Sequence, residues 1–212
     1  LYCTLFIFLL LHYSNAQVLS SREQATIIDE ILADRVNTLL PQLMKTNNIE
    51  MWVIISREYN EDPVLKTMLP ATWLFSRRRT ILVFYNNPSK KIYEKLAIAR
   101  YNVGDNIKAL WDMQRFPNQW DALMDIIKSR NPSSTAINTS KDFGHADGLD
   151  HTEYIEFMNK LPAVFKTKVT SAETLAINWL ESRTEREMQI YTQLVSATHK
   201  IIEEGFSEKV IT

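Results

Sequence analysis

Apolar residues recur at three- and four-residue spacing early and late in the chain, and in short continuous runs between. Ile27, Ile28, Ile31, Leu32, Leu39, Leu40, Leu43 and Met44 give one face of a long helix. Ser20-Ser21-Arg22-Glu23 opens it as a capping box, and Asn47-Asn48 closes it. Pro41 lies inside the pattern and should kink or divide the helix, because it lacks an N–H and crowds the preceding turn. Met51 to Ser56 and Thr80 to Tyr85 are β-branched and aromatic runs that predict buried strands. Asp62-Pro63 marks a turn with a short helix starting at Pro63, and Asp62 is placed to cap it. Asn86-Asn87-Pro88 closes the second strand. Ile92 to Ile98 fits a helix by one set of positions and a strand by its alternation.

The second half alternates in the same way. Trp120, Leu123, Met124 and Ile127 predict a helix opened by Phe116-Pro117-Asn118. Thr135 to Asn138 predicts a strand, and Asp150-His151-Thr152-Glu153 caps a helix carrying Tyr154, Phe157, Met158 and Leu161. Ala163 to Val169 predicts a last strand. Thr170-Ser171-Ala172-Glu173 and Thr184-Glu185-Arg186-Glu187 are two further capping boxes. After the second, Met188, Tyr191, Leu194, Val195, Thr198, Ile201, Ile202 and Gly205 share one helical face. Strands alternating with helices predict an α/β layer with helices on both faces of the sheet. A stripe as wide as that of the last helix needs a partner surface. The reading that follows is that the 212 residues are the front part of a longer protein.

Composition narrows the function classes. A formal net charge of -1 offers no global field for nucleic acid or an anionic membrane. With 4 glycines, and none in a phosphate-cradling spacing, a nucleotide-binding loop is excluded. Leu5 to Leu11 is a short apolar run followed by Ser14-Asn15-Ala16, the small-residue spacing of a signal-peptidase site with Gln17 as the new first residue. It is too short to span a bilayer, which takes roughly 20 apolar residues. The one cysteine, Cys3, lies within it, so the exported chain would hold no thiol. The protein is expected to be exported, periplasmic or secreted, with no membrane span.

Candidate chemistry is sparse. Arg57, Glu58, Tyr59, Glu61 and Asp62 follow the carboxyl end of the first strand, the rim where α/β sheets tend to place ligands. A turn held by Asp and Asn side chains accounts for the same residues. Arg77-Arg78-Arg79 can grip a carboxylate or phosphate through forked donors, or can be a solvated edge before a strand. His145, Asp147, Asp150 and His151 have metal-ligand chemistry, but Gly144, Gly148 and a capping role for Asp150 explain them as a loop entering a helix. No Ser stands in a nucleophile-elbow context.

Several segments resemble M24 metallopeptidases, the creatinase, prolidase and aminopeptidase P group. They are Met51-Trp52-Val53-Ile54, Arg57 to Pro63, Ser76 to Phe84, Ala146-Asp147-Gly148-Leu149, Asn178 to Glu187 and Glu203 to Thr212. The resemblance implies a creatinase/prolidase-type amino-terminal domain, a mixed sheet flanked by helices, over 17–169. It implies a helical linker over 170–183 and the first helices of a truncated pita-bread catalytic domain over 184–212. It favours a strand at Ile92 to Ile98, as a hairpin partner. It also implies an Xaa-Pro aminopeptidase-like hydrolase acting on a peptide next to proline, forming a homo-oligomer and binding two divalent metal ions, Mn or Zn. The family's ligands are two Asp, one His and two Glu, and none can be assigned to a residue of this chain, which alone is expected to be inactive. Arg57, Tyr59 and Arg78 are the candidate substrate-binding residues. The alternative is a non-catalytic exported α/β binding or oligomerisation module.

The leader makes the first testable expectation. Mass spectrometry of the exported protein should find Gln17, or its cyclised form, as first residue; an intact 1–16 segment on the mature protein would overturn it.

Overall fold

The computed structural model describes residues 19–211, so the leader expected at 1–16 lies outside the described residues. A six-stranded mixed sheet forms the centre, in the order β4-β3-β2-β1-β5-β6. Its strands are β1 (Met51–Arg57), β2 (Arg79–Asn87), β3 (Ile92–Ile98), β4 (Lys108–Ala109), β5 (Thr135–Ile137) and β6 (Val169–Ser171). β1, β2 and β3 run antiparallel in sequence, while β5 joins β1, β6 joins β5 and β4 joins β3 in parallel. The alternation at 92–98 thus resolves as a strand, with Leu96 opposite Val83 and Ile98 opposite Ile81.

Both faces of the sheet are covered, and this explains why the central strands read as continuous apolar runs rather than alternating ones. Trp52, Ile54, Leu82, Phe84 and Ala97 point to one face. There they meet Val36, Leu40 and Met44 of the first helical stretch, α3 (Pro63–Lys66), and Leu175, Ala176 and Trp179 of α7 (Glu173–Glu181). Met51, Val53, Ile55, Ile81 and Val83 point to the other. Their partners are Trp120, Leu123 and Ile127 of α4 (Gln119–Arg130) and Phe157 of α5 (His151–Lys160). The segment 170–183, read as a linker, therefore carries a helix whose apolar side is part of the sheet core.

The first helix shows how the chain accommodates Pro41. α1 (Ser21–Asp34) begins with the Ser20–Glu23 capping box. It passes through a π turn at Arg35–Leu39 into α2 (Leu40–Thr46), with Pro41 in the first turn of α2. The widened turn shifts the hydrogen-bond register, with the Leu40 amide donating to the Arg35 carbonyl, so the missing proline donor falls at a register change. Asn86 Nδ2 donates to the Pro41 carbonyl at 2.9 Å, tying the bend to the end of β2.

Two local expectations are corrected. Ala163–Lys166 is a helical turn, α6, not a strand. Pro162 stands at its N-cap, the Phe165 amide donates to the Pro162 carbonyl at 2.9 Å, and Phe165 is buried. Only Val169–Ser171 pairs with β5, which is itself three residues long. Thr170–Glu173 is not a capping box, because Thr170 and Ser171 are engaged in that pairing. The N-cap of α7 is Ala172, without a side-chain cap. Ser171 Oγ donates to the Thr139 carbonyl and accepts from the Glu173 amide at 3.0 Å, while the Glu173 carboxylate accepts from Ser140 Oγ.

The Thr184–Glu187 capping box forms as expected and opens α8 (Glu185–Gly205), followed by α9 (Glu208–Ile211). None of the 21 residues of α8 is buried, and Ile201 stands 72% exposed. Among the described residues, the ion pairs that tie α8 to the sheet domain lie at its start. Glu187 pairs with Arg35 at 2.8 Å, and Arg186 pairs with Glu30.

A buried polar chain closes the sheet end where β1 and β5 run side by side. Trp52 Nε1 donates to Asn138 Oδ1 at 2.7 Å, and Asn138 Nδ2 donates to Asp62 Oδ2 at 2.8 Å. Asp62 Oδ1 accepts from the amides of Val64 and Leu65 at 2.7 and 3.0 Å, the expected cap of α3. Burial raises the Asp62 carboxyl above its usual value, against these three donors. Gly148 lies directly on this carboxylate: an added Cβ would overlap it and come within 2.8 Å of the Asp62 Cβ. Asp62 is fully buried and held from three sides, so it has nowhere to move. Gly148→Ala is therefore expected to cost about 3 kcal/mol. That corresponds to a drop of roughly 6–12 °C in the thermal midpoint, measured by calorimetry. An unchanged midpoint would show that the Asp62 site is loose.

Candidate functional site

The carboxyl end of β1 and the amino end of β2 share one rim of the sheet, with Arg57 opposite Arg79. The pairing continues one step past the strands in irregular form. The Glu58 amide donates to the Arg78 carbonyl at 2.6 Å, and the Arg78 amide donates to the Glu58 carboxylate at 3.1 Å. Beyond it the chain turns sharply, with the Asn60 amide on the Arg57 carbonyl at 3.1 Å. Tyr59 and Arg78 both take left-handed backbone, at φ 69° and 54°. Bulky side chains seldom adopt it, and such strain gathers where a structure forces residues into working positions.

Behind this rim lies a carboxylate clamp. Glu153, on α5, is 1% exposed and faces two arginines. Arg79 Nε lies 3.0 Å from one of its oxygens and donates to the other at 3.1 Å, and Arg57 Nε approaches to 3.6 Å. Arg79 also reaches Glu156 at 3.4 Å and lies 4.7 Å over the Trp120 ring, whose Nε1 donates to Glu156 at 2.6 Å. Burial pushes the Glu153 carboxyl up, Arg79 pulls it down, and Asp150 and Glu156 push it further up; the outcome is a raised value.

In front of the rim is an open cavity of about 570 Å³. Trp73, Phe75, Tyr101 and Trp111 supply aromatic surface, and Arg77, Arg78, Arg79 and Arg100 supply cations, with Glu58 at the wall. Arg77 is stacked, its guanidinium 4.2 Å over Trp73 and 6.0 Å from the Tyr101 ring centre. Of the three candidates from the sequence, Arg78 lines this cavity. Arg57 is turned to the Glu153 clamp behind it, and Tyr59 stands outside, 85% exposed, with its ring 6.3 Å from Phe75. The rim brings the three within a few residues of one another, but only one of them faces the cavity. Sequence reasoning missed Trp73, Phe75, Arg100, Tyr101 and Trp111. The interleaving of Trp73, Phe75 and Arg77 at every second position, and the Arg100-Tyr101 pair, are the signals that could have found them.

No family model, no curated protein and no solved structure matches this chain. Among the described residues no group of three or more His, Cys, Asp or Glu side chains converges to hold an ion. The carboxylates of the Gly144–His151 loop are occupied, Asp147 accepting from the Ser140 amide at 3.0 Å and Asp150 from the Glu153 amide at 2.9 Å. Among the described residues these carboxylates are held by backbone amides and converge on no divalent-metal centre. No helix among the described residues is long and apolar enough to cross a membrane.

The clamp predicts an asymmetry between its partners. Arg79→Ala leaves a buried carboxylate with only the longer Arg57 contact, and is expected to cost about 3 kcal/mol. Glu153→Ala leaves Arg79 its Glu156 contact and access to water, and is expected to cost about 1 kcal/mol. The pH sign follows from the raised carboxyl. A raised native value favours folding at low pH, and that advantage is lost as pH rises from the ordinary Glu value near about 4.3 through the raised one. Glu153→Gln should thus gain on the wild type across that window in urea unfolding. Equal costs for the two alanine variants would refute the clamp, and a Gln variant that loses ground as pH rises would refute the raised carboxyl.

Proposed function

We propose that the chain is the amino-terminal part of an exported M24-type metallopeptidase, Xaa-Pro aminopeptidase-like, that hydrolyses a peptide bond next to proline. The observation that carries this reading is α8. The sheet domain closes both faces of its sheet with its own helices, and α8 then leaves it with Met188, Tyr191, Leu194, Val195, Ile201 and Ile202 exposed along one side. A contiguous apolar face of that length marks an interface. The segments resembling the family's catalytic-domain opening, Asn178 to Glu187 and Glu203 to Thr212, bracket this helix. In the proposed protein the face of α8 lies against the catalytic domain, and the sheet domain is the creatinase/prolidase-type amino-terminal domain.

In this reading the sheet domain shapes the substrate entrance and contributes to a homo-oligomer, and peptide contacts come from Arg57, Tyr59 and Arg78 on the strand rim. Two divalent ions, Mn or Zn, held by two Asp, one His and two Glu of the catalytic domain, would lower the pKa of a bridging water and polarise the scissile carbonyl. The residues described here take no part in that step. They hold and orient substrate, and the 212-residue chain by itself is inactive.

The test is to read the coding sequence downstream of Thr212, express its product and assay it on Xaa-Pro peptides with and without a chelator. An Asp pair, a His and two Glu at separated positions, with chelator-sensitive cleavage, are expected. A product without those ligands overturns the enzyme and leaves a non-catalytic exported binding or oligomerisation module.

A further inference from the structure

The cavity at the strand rim holds more positive charge than its own walls neutralise. Arg79 is paired with Glu153 and Glu156. Arg77, Arg78 and Arg100 form no ion pair among the described residues, and each lines the same cavity. The one carboxylate of the wall, Glu58, accepts from the Arg78 backbone amide. Three unpaired guanidiniums around one opening repel one another, and an ordinary solvated face would spread them. Two features order one side of the opening. The Arg77 guanidinium lies 4.2 Å over the Trp73 ring, and the chain beside it turns through left-handed backbone at Arg78. A guanidinium already ordered by stacking loses less freedom when it takes an oxyanion in its fork.

The remaining lining is aromatic. Phe75, Tyr101 and Trp111 offer ring surface beside the cations, and the volume suits a small ligand rather than a folded partner. We infer that this cavity binds an oxyanion, a carboxylate or phosphate, carried on a small aromatic body, with Arg77 and Arg100 on the anion and Trp111 and Phe75 against the ring. The inference stands apart from the peptidase reading: a chain with no peptidase activity would bind the same ligands.

The probes are phenyl phosphate, phenylacetate and the neutral benzyl alcohol, titrated into the protein and followed by calorimetry and by tryptophan fluorescence. At least one anion is expected to bind with a dissociation constant in the millimolar range or below, roughly 10-fold or more tighter than the alcohol. Binding of phenyl phosphate alone identifies a phosphate ligand, and of phenylacetate alone a carboxylate ligand; both support the site. Arg77→Gln and Arg100→Gln are each expected to weaken anion binding by about 10-fold, and Trp111→Leu to weaken it while leaving the salt dependence unchanged. The Arg100 side chain makes no hydrogen bond or ion pair among the described residues, so Arg100→Gln keeps the test open if Arg77→Gln disturbs the fold. No anion binding, binding equal to that of the alcohol, or anion binding indifferent to Arg100→Gln in a protein with an unchanged thermal midpoint would overturn the assignment.

Discussion

The interior β1 and β2 strands are buried on both faces, and most other features of the molecule follow from that constraint. Their residues from Met51 to Ser56 and from Thr80 to Tyr85 are buried without interruption. A strand in such a place has no solvated side on which to carry charge. Polar chemistry is consequently displaced to the ends of the strands, where it must be fully partnered or open to water. At the rim of β1 both solutions occur within five residues. Asp62 is sealed in and satisfied by three donors, whereas Arg57 keeps half its side chain in water and lends the rest to Glu153.

Arg35 solves a different problem, the passage from a closed core to an exposed helix. It is buried at the π turn and lies 4.2 Å over the Trp179 ring, with its guanidinium donating to the carbonyls of Trp179 and Ser182. Those carbonyls belong to the last turn of α7 and its C-cap, which a helix leaves without internal partners. The same guanidinium pairs with Glu187, the capping-box residue of α8. One cation thus terminates α7 and anchors the start of α8. A lysine would keep the charge but lose the planar fork that reaches these acceptors together.

Much of the fold could be read from the sequence because local and tertiary preferences agree at most elements. The caps at Ser20, Asp62, Asn118, Asp150 and Thr184 all form; four of them precede a helix whose apolar spacing demands a start there, and Asp62 precedes the fixed φ of Pro63. The misreadings sit where a tertiary partner decides. Ala163 to Val169 looks β-forming, but β5 offers only three residues to pair with, so the chain spends the rest in a helical turn. Thr170 has the chemistry of a cap and is taken by the pairing with β5 instead, while Ser171 beside it accepts from the Glu173 amide. The cavity was hardly legible, because its lining comes from segments far apart: Trp73 to Thr80, Ala99 to Tyr101, Trp111 and Gln119.

Gln119 ties two of those segments together at their strand ends. Its Nε2 donates to the Arg79 carbonyl at 3.1 Å and to the Ile98 carbonyl, bridging the start of β2 and the end of β3 from the first turn of α4. Ile98 is the last residue of β3 paired with β2, and Arg79 lies two residues past that pairing, with no β3 residue opposite its carbonyl. One amide that bonds both carbonyls fixes the floor of the cavity to the sheet. The walls differ in kind. Arg77, Arg78, Arg100 and Tyr101 lie beyond the last strand pairings on exposed chain. A floor fixed to the sheet, beneath a guanidinium already ordered over Trp73, is the arrangement that lets a small site keep its geometry on exposed chain.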